Sequence, residues 1–168
     1  MMQVSLDTSF LISFSDPDRP NHAVAVEYFR YCLAQRVPMH ISTVAAGEFA
    51  VKQQITDLPL QNFRILPYNL LHATKAASLY NAYRKENPAS SDDKRPIIIN
   101  DLKLIAQAAE DNIAAILTED VNTLSKMVKF LRERSIVSVQ AIPLSDGFTQ
   151  IGSDHPAQGR LPFPPPAR

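Results

Sequence analysis

The sequence predicts an α/β protein, with helices on both faces of a mostly parallel central sheet of about four to five strands. Three observations carry that expectation. Short strand-like runs alternate with helix-period segments along the chain. The run at residues 113–117 is apolar without a break, as a strand covered on both faces should be. The first and fourth strand-like runs lead directly into acidic and hydroxyl residues that open helices, namely Asp7-Thr8-Ser9 and Thr118-Glu119-Asp120.

The first strand is read at residues 4–6, where Val4 and Leu6 flank Ser5 with a period of two. Asp7 then stands at a strand's C-terminal end, where ligands sit in open α/β sheets. Taken alone, Asp7 also reads as an ordinary helix cap. A short helix is expected at residues 10–14 and a turn at 15–18. Asn21 can cap a second helix at about residues 22–35, with Val26, Phe29, Cys32 and Leu33 on its apolar face. A second strand at residues 37–42 runs into a helix capped by Ser42 or Thr43, and Glu48 falls in its first turns. A third strand is read at 63–66. The long helix after it, about 70–85, has Leu71, Ala77, Leu79 and Tyr83 as expected buried positions.

Residues 87–96 form a polar loop, with Asp92 and Asp93 solvated. Asn100 is the expected N-cap, and Asp101 the first-turn residue, of the next helix, which reaches about residue 111. The fourth strand follows at 113–117, then a helix at about 122–134 and a last strand at 136–142. The expected organisation is a domain over residues 1–143 and a Pro-rich tail over 144–168, with Leu161-Pro162-Phe163-Pro164-Pro165-Pro166 extended.

The totals bound the function. One domain is the default for 168 residues, and a hydrophobic content of 45% supports a packed core. A formal net charge of zero removes any global electrostatic case for nucleic-acid binding, so such binding would need a local basic patch. Cys32 is the only cysteine, which excludes an internal disulfide and a Cys-based zinc site and fits a cytoplasmic setting. It is expected to be a buried core thiol. No signal-peptide pattern is present, and no apolar run approaches the ~20 residues of a membrane span. The histidines His22, His40, His72 and His155 are scattered, without metal-ligand spacing, and none is given a role.

Asp7, Glu48 and Asp120 occupy equivalent places after three strands, and Asp101 opens a helix of its own. In a parallel sheet the strand C-termini share one edge, so these groups can converge there. Carboxylates drawn together repel unless cations neutralise them. Hard divalent ions such as Mg²⁺ or Mn²⁺ take oxygen ligands, and such a site can activate water for phosphodiester cleavage. Lys94, Arg95 and Lys103 flank Asp101, and Lys126 and Lys129 follow Asp120; at the rim of an acidic site they could hold phosphates.

Four segments in this order and spacing resemble the PIN domain family over about residues 2–142: Leu6-Asp7-Thr8-Ser9-Phe10-Leu11-Ile12, Ser42-Thr43-Val44-Ala45-Ala46-Gly47-Glu48-Phe49, Asn100-Asp101-Leu102-Lys103-Leu104-Ile105-Ala106 and Leu117-Thr118-Glu119-Asp120-Val121-Asn122-Thr123-Leu124. PIN domains are metal-dependent nucleases, and many small ones are VapC-type ribonuclease toxins of toxin–antitoxin pairs. The resemblance implies a three-layer α/β/α fold and an Mg²⁺- or Mn²⁺-dependent ribonuclease. Asp7, Glu48, Asp101 and Asp120 would be its catalytic, metal-holding acids, with Thr8 and Thr118 as supporting hydroxyls. It further implies an RNA substrate, an antitoxin protein as partner and a homodimer, with no membrane association.

Two other readings were weighed. A haloacid-dehalogenase-like phosphatase requires a second Asp two residues after the first, and Ser9 stands there. An inactive PIN-like module that binds nucleic acid or protein would have no need of four clustered acids. Serine or cysteine hydrolysis lacks its Gly-x-Ser-x-Gly elbow, and with only four glycines there is no phosphate-cradling loop.

Overall fold

The computed structural model describes residues 2–88 and 95–151, apart from the side chains of residues 95–97. Five strands, β1 (Val4–Leu6), β2 (Met39–Ser42), β3 (Arg64–Leu66), β4 (Ala115–Thr118) and β5 (Gln140–Pro143), form one sheet in the order β3-β2-β1-β4-β5. Each pairing is parallel. Parallel neighbours need long crossovers, and helices supply them. These are α1 (Thr8–Ser15), α2 (His22–Ala34), α3 (Thr43–Ala50), α4 (Leu70–Glu86), α5 (Arg95–Glu110) and α6 (Leu124–Glu133). The chain steps from β1 outward to β3, then returns across the sheet to β4 and β5. With right-handed crossovers, that reversal puts α1–α3 on one face and α4–α6 on the other. This is the α/β architecture expected from the sequence, with five strands.

The three interior strands, β2, β1 and β4, are buried along their whole length. Val4, Leu6, Ile41, Ile116 and Leu117 form the middle of the core, closed by Phe10, Tyr28 and Phe49 from one group of helices and Leu79, Leu102 and Leu131 from the other. Register places Leu6 beside both Ile41 and Leu117. The residues that follow these three strands therefore emerge together at one edge. The strand order reverses at β1 and β4, and a crevice opens outside their C-terminal ends.

Several expected details differ. The buried stripe of α2 is Ala25, Tyr28 and Cys32, one position before the expected Val26, Phe29 and Leu33; Leu33 is 44% exposed. Both sets have helical spacing; Phe29 of the expected set still packs on Phe14 of α1 at 4.8 Å while half-buried. Burial pushes the Cys32 thiol up to about 12, consistent with an inert core residue. In α4 the buried residues are His72, Ala76 and Leu79, whereas Leu71 is 69% exposed and Ala77 is also exposed. His72, given no role from sequence, closes a capping box: its Nδ1 accepts from Asn69 N and its backbone N donates to Asn69 Oδ1, both at 3.1 Å. Asp92, Asp93 and Lys94 lie outside the described residues.

The chain stays packed beyond β5. Leu144 and Ile151 are buried, the Phe148 ring packs at a tilt 4.9 Å from Tyr28, and Thr149 N donates to Tyr28 Oη at 3.0 Å. Residues 144–151, expected in the tail, thus cover α2; residues 152–168 lie outside the described residues. Among the described residues no helix is long and apolar enough to cross a membrane.

Candidate active site

The site begins where β1 ends. Asp7 N continues the sheet by donating to Leu117 O at 3.1 Å, and Asp7 then caps α1, its Oδ1 accepting from Thr8 N at 2.7 Å. The cap expected from sequence is real, and it does not exhaust the residue. Oδ2 accepts from Ser9 Oγ at 2.7 Å and from Thr118 Oγ1 at 2.8 Å. Asp7 is 6% exposed. Burial raises its pKa, the Ser9, Thr118 and Thr8 hydrogen bonds oppose the rise, and the Glu48 charge adds to it. Two hydroxyls and a backbone N–H hold this carboxylate in one orientation.

Thr118 is fully buried at the end of β4 and ties β4 to β1 through Asp7. Its Oγ1 also accepts from Asp120 N at 2.8 Å, which shapes the turn that follows. Ser9 Oγ accepts from Glu119 N at 2.8 Å and lies 3.2 Å from Thr118 Oγ1. Ser9 is thus a junction between the two strand ends that the sequence reading quoted without assigning a role. Glu119 is turned away from the acids: Arg19 Nη2 donates to it at 2.8 Å and Asn21 Nδ2 at 2.9 Å. Asn21 therefore makes no side-chain cap on α2, contrary to expectation.

Asp120 Oδ1 accepts from Asn122 N and Thr123 N, each at 2.8 Å, and Oδ2 accepts from the Thr123 hydroxyl. Burial pushes the Asp120 pKa upward, but these hydrogen bonds outweigh it and hold the group below its ordinary value. Asp120 is thus an ionised carboxylate fixed by its own turn.

Glu48 rides on α3, which Ser42 caps by accepting from Val44 N at 3.0 Å. Thr43, the alternative cap, instead accepts from Tyr68 N at 3.1 Å. Thr8 Oγ1 donates to Glu48 Oε2 at 2.6 Å, and Asn100 Nδ2 donates to Oε1 at 2.6 Å. Asn100 is therefore not an N-cap. Helix α5 starts at Arg95, so Asn100 and Asp101 lie in its second turn. The misreading comes from Pro96, which looks like a breaker but fits the first turn of a helix, where its missing N–H costs nothing.

Asp101 is the group without compensation. It is 9% exposed, and among the described residues its Oδ2 has no hydrogen-bond partner. Burial pushes its pKa up to about 7; the Thr123 hydroxyl opposes the rise, while the charges of Asp7, Asp120 and Glu48 add to it. The other three predicted acids therefore all bear on Asp101. As placed, the carboxylates do not close around a single point: among the described residues no three Asp, Glu, His or Cys side chains are near enough to share an ion. Glu48 is turned toward Thr8 and Asn100, and Asp120 into its own turn. The donor chemistry nonetheless suits a hard divalent cation. Every donor is a carboxylate oxygen, and one buried oxygen is unpaired.

Of the predicted basic residues, Lys103 is half-buried, and its Nζ donates to Asn100 Oδ1 at 3.2 Å. Lys94 lies outside the described residues, as does the Arg95 side chain. Lys126 is exposed, and Lys129 pairs with Glu133 at 3.9 Å. The sequence reading missed Ser9, Asn100 and Thr123 as partners of the acids. Each lies within three residues of one of them, and that adjacency was the available signal.

The sequence profile of the PIN domain matches residues 4–129. No curated protein matches the chain. Solved structures share the fold at low identity. VapBC2 from Rickettsia felis, bound to a DNA fragment from its promoter, is similar with TM-score 0.55 and 14% identity, over 84% of this chain and 98% of that one. FitAcB from Neisseria gonorrhoeae gives TM-score 0.60 and 13% identity, over 85% and 99% of the respective chains. VapC20 from Mycobacterium tuberculosis, described as a sarcin-ricin loop cleaving toxin, gives TM-score 0.52 and 15% identity, over 82% and 99%.

Proposed function

This chain belongs to the PIN domain family, and from that membership we propose that it is a metal-dependent endoribonuclease, the toxin of a toxin–antitoxin pair. The observation that carries the proposal is Asp101: a buried carboxylate with an unpaired oxygen, held at a strand-end crevice among three other acids. A structural acid would be expected to have its partners satisfied. Asp7, Glu48, Asp101 and Asp120 are the proposed holders of Mg²⁺ or Mn²⁺, with Glu48 and Asp120 rotating off their neutral partners. Such an ion, when bound, supplies an activated water and neutralises charge on the leaving oxygen.

The chain's own residues do the rest. Ser9 and Thr118 fix the carboxylate of Asp7 so that little reorganisation is needed there when charge develops, and Thr8 holds Glu48 beside it until the ion binds. Lys103, with Lys94 and Arg95 as further candidates, contributes positive charge beside the acids to hold the phosphate backbone. The toxin assignment draws support from the neighbours of similar fold, which include VapBC assemblies; an antitoxin protein and a second copy of the chain are the proposed partners.

The test is cleavage of single-stranded RNA by purified protein with Mg²⁺ or Mn²⁺, compared with Asp101→Asn. Asn preserves shape, so the fold should persist while cleavage falls by at least about a hundredfold, the scale of a lost electrostatic group. Full cleavage by Asp101→Asn would remove the assignment. RNA binding without cleavage by the parent would instead indicate a PIN-like binding module.

A further inference from the structure

Helices α4 and α5 leave an open groove of about 360 Å³ between them, lined among others by Tyr68, Tyr80, Asn81, Ile99 and Lys103. The space exists because α4 presents alanines there, Ala77 among them. Its volume is at the lower end for ligand sites and suits one flat ring system. Its walls combine two half-buried phenol rings with an exposed amide and an ammonium group. Aromatic faces, a donor–acceptor amide and a basic group are the features that recognise an unpaired nucleotide.

A hydrogen-bond chain links the groove to the acidic centre. Lys103 Nζ donates to Asn100 Oδ1 at 3.2 Å, and Asn100 Nδ2 donates to Glu48 Oε1 at 2.6 Å. Two hydrogen bonds thus join its rim to a proposed metal-holding carboxylate. On the other wall, Tyr68 N donates to Thr43 Oγ1 at 3.1 Å, at the start of the helix that carries Glu48. An apolar peptide would gain nothing from the lysine or the asparagine, whereas a nucleotide uses both.

We infer that this groove is a nucleobase subsite: an unpaired base of the RNA strand stacks against Tyr80 and Tyr68, with its phosphate on Lys103. The inference rests on the ribonuclease reading above, and names its substrate as RNA with a base free to leave the stack. A strand so held runs from the groove to the acids, which makes the groove a determinant of where cleavage falls.

The experiment measures binding of a labelled single-stranded oligoribonucleotide, and of its duplex, with chelator present so that no cleavage occurs. The parent should prefer the single strand. Tyr80→Leu keeps apolar volume and removes the aromatic face; it should weaken single-strand binding about five- to a hundredfold, the scale of one base stacked on a ring, and leave duplex binding unchanged. Tyr80→Phe should restore the preference. Lys103→Met should lower the salt dependence by about one phosphate contact. Should Tyr80→Leu fail to fold by circular dichroism, Tyr68→Leu makes the same comparison. Equal single-strand affinity in parent and folded variant overturns the subsite while leaving the ribonuclease reading intact. Equal loss of single-strand and duplex binding also overturns it. A parent that cleaves RNA yet shows no preference for the single strand does the same, and a parent that neither binds nor cleaves RNA removes both readings.

Discussion

Asp101 keeps its proton up to about pH 7 because burial and three neighbouring carboxylates disfavour its charge. An unfolded Asp releases the proton near 3.9. The folded state therefore binds that proton more tightly than the unfolded state does. Its contribution to stability is full below about pH 4 and is lost as pH rises through about 7. With a chelator present, the melting temperature should carry this decline, and Asp101→Asn should flatten it. Asp7, also raised by burial, should leave part of the slope in place. Thermal melts across that pH range check the expectation; parallel curves for parent and variant would contradict it. A cation that binds the ionised carboxylates competes with the proton, so ion affinity should rise over the same interval.

At the scale of elements, each acid depends on the helix that carries or follows it. Ser42 caps α3 and so sets the direction of the helix that carries Glu48. Ser42→Ala should cost about 0.5–2 kcal/mol, or roughly 2–4 °C in melting temperature per kcal/mol for a chain of this size. It should also slow RNA cleavage, because the helix that carries Glu48 loses its fixed direction. A scanning melt and a cleavage assay on the same sample check both, and an unchanged melt would mean that the cap is replaced. Strand ends were the legible part of this region in the sequence, since an apolar run that stops at Asp-Thr-Ser shows both the end of β1 and the opening of α1. The start of α5 was not legible, because Pro96 marks a loop and a first helical turn equally well. That ambiguity turned Asn100 into an apparent cap and hid its bond to Glu48. The α2 stripe was displaced by one residue for a similar reason: two sets of positions share one period, and only tertiary packing chooses between them.

At the scale of the whole molecule, the reversal of strand order at β1 and β4 gathers the acids. The chain is legible at this level because a parallel sheet puts every strand's end on one edge, whatever the strand order. The domain is expected to end within the packed segment rather than at residue 143. Removing residues 152–168 should leave the melting temperature unchanged, since a Pro-rich end contributes little packing. Removing residues 144–168 should lower it, because the buried Leu144 and Ile151 leave the core and Phe148 comes off Tyr28 and Tyr31 of α2. Equal melts for the two truncations would contradict that boundary.

The central claim is that Asp7, Glu48, Asp101 and Asp120 hold one divalent ion. Calorimetric titration of Mn²⁺ into the full chain, at a pH where Asp101 is ionised, tests it most directly. Saturable binding is predicted for the parent and for Asp146→Asn, whose carboxylate is exposed and distant in sequence from all four acids. Binding should be lost in Asp101→Asn. A parent without saturable binding at millimolar ion, or an Asp101→Asn protein that binds as the parent does, would contradict the account.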